Sequence, residues 1–317
     1  MHVSDSQARE HLAASARAAG ITAAAELPAH RFLETDELRL HYLEWGPADA
    51  PPVLFLHGGW LTAHTWDLTC LHLQRSYRCL ALDLRGHGDS GWSDPGNYSV
   101  GDNAADLATV IDRLQLGRCL VVGQSFGAIV ALCHAIDTGA NLAGLVVIDT
   151  GPTIDWDGGA ARVSEFVSAK TRFTSVDEVI DQALAFNPRR RRDLLDTSIR
   201  YNLRVNPDGT YSWRYDSRDI DGRLSRLRTV LTSMGERLHR VTCPTLVVRG
   251  EQSDVFSPAD SEYMRRTLPQ AQAITIPNAA HTVQGDNPLA LAQAIELFAR
   301  TVYPAGSEAD GTGEPPG

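Results

Sequence analysis

The chain has 317 residues, 43% of them hydrophobic and 21% charged, which suits one large α/β domain with an insertion, or two domains. Its formal net charge of -10 argues against nucleic acid or an anionic membrane surface as main partner. No stretch approaches the ~20 apolar residues needed to span a bilayer. Five cysteines without CxxC spacing argue against a disulfide scaffold or a metal centre, and for a reduced, cytoplasmic protein.

In chain order, residues 1–29 are rich in alanine but interrupted by Arg9, Glu10, Arg17 and Glu26, so they lack the unbroken apolar stretch of a signal peptide. They read as a short helical leader, amphipathic or frayed. "LRLHYLEWG" (38–46) alternates like a strand. "PPVLFLHGG" (51–59) is a continuous apolar run ending in glycines, the pattern of a strand buried on both faces. "YRCLALDLRG" (77–86), "CLVVGQS" (119–125), "GLVVIDTG" (144–151), "TLVVRGEQSD" (245–254) and "AQAITIPNA" (271–279) repeat the theme. Helical spacing fills the gaps at 100–116, 126–139 and 288–301. Alternating strands and helices predict an α/β fold with a mostly parallel central sheet flanked by helices.

The core is expected over 30–151 and 241–303. Residues 152–240 break the alternation, look mainly helical and read as a cap inserted over the sheet, with "NPDGTYSWRYD" (206–216) as a turn or small hairpin. By composition, 304–317 is a disordered tail.

The chemistry-bearing stretch is "VVGQSFGAIVAL" (121–132), a G-x-S-x-G sequence between a strand and a helix. A serine on such a turn is held in a strained conformation, and the glycines two residues either side let strand and helix nearly touch. Serine is a weak nucleophile at neutral pH and needs a base, which needs an orienting acid. Chain order Ser, acid, His places the partners on loops after later strands. Asp254 follows one such strand and His281 the next, so Ser125, Asp254 and His281 are the expected triad. Asp149, at the end of an earlier strand, is the alternative acid. Backbone N–H groups of Phe126 and of Gly59, with Trp60 as second choice, are the expected oxyanion donors.

Together "HGGW" (57–60), "DLRGHGDS" (83–90), "GQSFG" (123–127), "GEQSD" (250–254) and "AAH" (279–281) resemble the α/β-hydrolase family over roughly residues 30 to 302. The resemblance implies the triad above, a capped α/β-hydrolase fold, and loop-bracing rather than catalytic roles for Asp83, Arg85 and Ser90. "GHGDSG" (86–91) also fits the dinucleotide fingerprint, but Pro95 and Gly96 follow instead of a helix, so no pyrophosphate site is expected. A serine nucleophile points to acyl transfer rather than to epoxide or halide chemistry. The expected function is a cofactor-free, metal-free serine hydrolase of a small or medium carboxylic ester or lactone, with a small acyl substrate as its partner. Carbon–carbon bond hydrolysis, perhydrolysis, cofactor-independent oxygenation and non-catalytic ligand binding are the alternatives. Trp60, Trp156 and Trp213, with Phe166 and Phe173, are pocket candidates by residue type. "RRRR" (189–192) reads as a solvated helix face, and His57 as a brace.

Overall fold

A computed structural model describes residues 4–94, 97–138, 142–159, 161–163, 165, 170–188 and 190–304. Phe166, Arg189, Pro95, Gly96 and the tail beyond 304 lie outside the described residues. The leader contains a capped helix, α1 (Asp5–Ala18): the Ser4 side chain accepts from the Gln7 backbone, and the Gln7 side chain returns to the Ser4 N–H. Leu12 and Ala16 on α1, with Ile21, pack on Leu71 of the core.

The chain then runs through β1 (Ala29–Glu34), β2 (Arg39–Trp45), β3 (Pro52–Leu56), α2 (Asp67–Leu73), β4 (Arg78–Leu82), α3 (Val100–Arg113), β5 (Leu120–Gln124), α4 (Phe126–Thr138) and β6 (Gly144–Ile148). The inserted segment supplies β7 (Arg172–Phe173), α5 (Val176–Phe186), α6 (Arg192–Tyr201), β8 (Leu203–Val205), β9 (Tyr211–Trp213) and α7 (Ile220–Met234). The core resumes with β10 (Thr245–Gly250), α8 (Pro258–Thr267), β11 (Ala271–Ile276), α9 (Val283–Asp286) and α10 (Pro288–Val302).

The main sheet has eight strands in the order β1-β2-β4-β3-β5-β6-β10-β11. β1 and β2 pair antiparallel, β2 joins β4 antiparallel, and every later pairing is parallel. All five residues of β5 are buried because helices cover both faces of the sheet. Val121 packs with Leu54 and Val147 on one face, and Val122 with Phe55 and Val146 on the other. The sheet fans outward from β3 and β5, the topological switch point, where loops at the carboxyl ends leave a crevice.

The insertion is less purely helical than its sequence suggests. Residues 203–213 form a hairpin, β8 with β9, and β7 adds a third strand in the order β7-β9-β8. The reason lies in its own small core: Phe173, Ile180, Leu195, Leu203, Trp213 and Tyr215 bury one another away from the main sheet.

Candidate active site

Ser125 sits between β5 and α4 with φ of 50°, in the left-handed region that side chains avoid. Its N–H donates to Ile148 O at 2.9 Å, and its carbonyl accepts from Ala128 and Ile129 N–H at 3.0 and 3.1 Å. The flanking glycines are demanded by space. A Cβ on Gly123 would lie 2.5 Å from Ala128 Cα, and one on Gly127 would lie 2.4 Å from Leu56 O. This turn lifts Oγ to the crevice.

His281 comes from the loop after β11. Its Nε2 lies 3.1 Å from Ser125 Oγ, and its Nδ1 lies 2.9 Å from Asp149 Oδ2. The loop is pinned by Gln124, whose Nε2 donates to His281 O at 3.0 Å, and by Asp286, whose Oδ2 accepts from Ala280 N–H at 2.9 Å. Burial holds the Asp286 carboxyl above its ordinary range, against the attraction of Arg190, which lies 3.3 Å away.

The acid at His281 is therefore Asp149 and not Asp254. Asp149 follows β6 with φ of 54°, is wholly buried, and accepts from Gly250 N–H at 2.8 Å and from Ser253 Oγ at 2.5 Å. With His281, these bonds give both carboxylate oxygens a partner. The loop after β10 contributes its serine instead of its aspartate. Ser253 Oγ also accepts from the N–H groups of Val255 and Phe256, each at 3.2 Å, and this turn carries Asp254 away from the imidazole. Asp254 is half-exposed and pairs with Arg162 of the insertion.

At the end of β3 the oxyanion candidates separate. Trp60, with φ of 66°, gives its N–H to His87 Nε2 at 3.3 Å. Gly59 faces the first turn of α4: a Cβ there would lie 3.8 Å from Phe126 Cβ. His57 is buried under this loop, its Nδ1 2.7 Å from Gly58 O and its Nε2 accepting from Leu84 N–H at 3.0 Å. The loop after β4 is likewise bound up in structure. Asp83 Oδ1 accepts from Ala63 N–H at 2.7 Å, Ser90 Oγ donates to Asp83 O at 2.6 Å, and Arg85 grips Asp106 through two bonds of 2.7 and 2.8 Å.

Ser125 and His281 open into a cavity of about 370 Å³ between the sheet and the insertion. Trp60, Val163, Phe186, Ile199, Trp213 and Tyr215 supply apolar wall; Arg162, Arg190 and Asp254 supply charge. A smaller cavity of about 60 Å³ touches Ser125, Phe126, Gly59 and Trp60 but not His281. Of the pocket candidates, Trp60 and Trp213 line the larger cavity. Trp156 does not: it packs against the main hydrophobic core. Phe173 lies inside the core of the insertion, edge-on to Trp213 with ring centroids 5.2 Å apart. Three partners had no sequence signal of their own: Gln124, Ser253 and Arg190. Within the arginine run, Arg191 and Arg192 pair with surface aspartates, whereas Arg190 turns into the cavity.

This architecture has counterparts. A profile of the alpha/beta hydrolase family matches residues 53–294. The chain belongs to the alpha/beta hydrolase family. It is 31% identical over 265 residues to esterase Rv0045c of Mycobacterium tuberculosis, covering 80% of this chain and 84% of that protein. It is 29% identical over 260 residues to the sn-1-specific diacylglycerol lipase ABHD11 of Mus musculus, covering 80% and 82%. The crystal structure of Rv0045c superposes with a TM-score of 0.74 at 28% identity, covering 94% of this chain and 99% of that one. The likeness is thus to esterase-type members of the α/β-hydrolase family. Among the described residues, no helix is long and apolar enough to cross a membrane.

Proposed function

We propose that the protein hydrolyses small or medium carboxylic esters, cyclic esters included, through an acyl-enzyme on Ser125. The observation that carries this reading is the continuous relay from Ser125 Oγ through His281 to Asp149, at 3.1 and 2.9 Å, facing a substrate-sized cavity. In the first half-reaction His281 Nε2 takes the Ser125 proton as Oγ attacks the acyl carbon. His281 then delivers that proton to the departing alcohol oxygen. Asp149 holds the Nδ1–H tautomer and stabilises the imidazolium. The carbonyl oxygen gains its negative charge beside the N–H groups of Phe126 and Gly59, which are fixed in advance and need no reorganisation. Trp60 N–H is engaged by His87, which favours Gly59 as second donor. Water activated by His281 then releases the acid.

The two cavities suggest how an ester lies. The leaving alcohol must sit beside His281, which touches only the larger cavity; the smaller one, on the Phe126 side, suits a short acyl group.

Labelling with a fluorophosphonate tests the reading. The native chain should label at Ser125 and lose ester hydrolysis on labelling, and Ser125→Ala should neither label nor hydrolyse esters above background. Undiminished ester hydrolysis by Ser125→Ala would refute the assignment.

A further inference from the structure

Outside both cavities, three ligating side chains meet at the antiparallel edge of the sheet. His30 on β1 is paired with Leu43 and His41 on β2 with Phe32, so the two histidines are diagonal neighbours on one face. Their rings stack with centroids 5.1 Å apart, and His30 Nδ1 lies 2.9 Å from His41 Nε2. Asp89, on the loop after β4, completes the group: one nitrogen of each histidine and one Asp89 oxygen all lie within 4.8 Å of one another.

The surroundings prepare these atoms for a cation. His41 is wholly buried and its Nδ1–H donates to Asp83 Oδ2 at 2.7 Å, which leaves the Nε2 lone pair directed at His30. A carboxylate behind an imidazole is the arrangement that orients metal-bound histidines and raises their basicity. Asp89 is fixed through its backbone, its N–H donating to Asp83 Oδ2 at 3.0 Å, while its half-exposed carboxylate pairs with Arg214. The nearby His64 is committed elsewhere, stacked on Tyr201 at 3.7 Å with its Nδ1 3.0 Å from Asp67.

We propose that His30 Nδ1, His41 Nε2 and a carboxylate oxygen of Asp89 bind one divalent transition-metal ion of the zinc type, with solvent as fourth ligand. Zinc–nitrogen bonds of about 2.0–2.1 Å at a tetrahedral angle separate two ligand nitrogens by roughly 3.3 Å. The 2.9 Å pair therefore needs to open by only a few tenths of an ångström. As the ion enters, the proton between the two rings moves from His30 Nδ1 to His30 Nε2, a change of tautomer that leaves Nδ1 and His41 Nε2 both free to bind. Asp89 moves toward the ion and leaves Arg214. Two imidazoles and one carboxylate select zinc over magnesium, which demands an all-oxygen octahedron. No spacing motif announces the site, because its residues come from two strands and a distant loop.

The test is calorimetric titration of the chelator-treated full chain with zinc chloride and with magnesium chloride, with thermal unfolding followed in parallel. The native chain should bind one zinc ion and gain melting temperature with it, because the ion binds only the folded form; magnesium should give neither effect. His30→Ala, on an exposed edge strand, should weaken zinc binding at least tenfold, as should Asp89→Asn, while His281→Ala should bind zinc like the native chain. The proposal is overturned if the native chain does not bind zinc. It is equally overturned if His30→Ala and Asp89→Asn titrate like it, or if only His281→Ala loses the ion.

Discussion

His281 turns its Nδ1 onto Asp149, 2.9 Å away, across 132 residues of sequence, while Asp254, 27 residues from it, pairs with Arg162 instead. The two carboxylates therefore make separable contributions. Asp149→Asn should lower kcat by about 10³–10⁴, because the imidazole loses both its tautomer and its counter-charge. Asp254→Asn should leave kcat within a few-fold and change stability by less than about 1 kcal/mol, as expected for a pair of exposed groups. Steady-state kinetics on both variants decide; comparable losses of kcat would reinstate Asp254.

The elbow glycines have a packing consequence. A Cβ at Gly127 would meet two backbone carbonyl oxygens, Leu56 O at 2.4 Å and His57 O at 2.6 Å. Neither can swing aside as a side chain would. Gly127→Ala should cost about 1–3 kcal/mol, the range of overpacking. Gly101→Ala on α3, where the nearest atom is Ser99 Oγ at 3.6 Å, should be neutral or gain up to about 1 kcal/mol. Denaturant midpoints of the two variants should move in opposite directions or only the first should fall.

Ester preference should follow the unequal cavities. With the alcohol held constant, kcat/KM should fall steeply as the acyl chain outgrows the 60 Å³ space beside Phe126. With a short acyl group, enlarging the alcohol should be tolerated within the 370 Å³ space beside His281. A matched series of esters reads this directly. The reverse dependence would mean that substrate lies the other way round.

Acid stability should depend on His87. It is buried, its Nδ1–H donates to Arg85 O at 2.9 Å, and its Nε2 accepts from Trp60 N–H, so only the neutral ring fits. Burial, with help from His57, lowers it to about 3 from the ordinary histidine value. Between about pH 6.5 and 3 the unfolded chain binds a proton at this residue that the folded chain refuses. Stability must therefore fall as pH is lowered through that window. His87→Gln should be less stable at pH 7 but show a flatter decline in melting temperature toward pH 4. An unchanged slope would remove His87 as the cause.

The legible part of the site was the part encoded locally. Gly123, Ser125 and Gly127 lie within five residues and report one turn, whose glycines answer to contacts as short as 2.4 Å. His281 followed from chain order and from the β11 run before it. Trp213 and Trp156 are both large aromatics of the insertion, and nothing in their immediate sequence distinguishes the one on the cavity wall from the one on the main core. Arg190 differs from Arg191 and Arg192 only in where α5 and α6 leave its backbone. The turn or small hairpin read at 206–216 is there as the junction of β8 and β9, but the addition of β7 was missed because strands of two or three residues carry too few positions for a period-two pattern.

The sequence by itself determined the α/β class and the glycine-flanked turn at Ser125, since each is written in a contiguous pattern of apolar period or glycine spacing, and chain order singled out His281. Only the tertiary structure decided which carboxylate faces that imidazole. β6 and β10 are parallel neighbours, so the loops after both end beside His281 and each offers an aspartate. The choice then rests on a left-handed backbone at Asp149 and on the turn that aims Ser253 inward and Asp254 outward. Those are properties of two strand ends, Ile148 and Gly250, packed side by side from distant parts of the chain, and no local pattern records them.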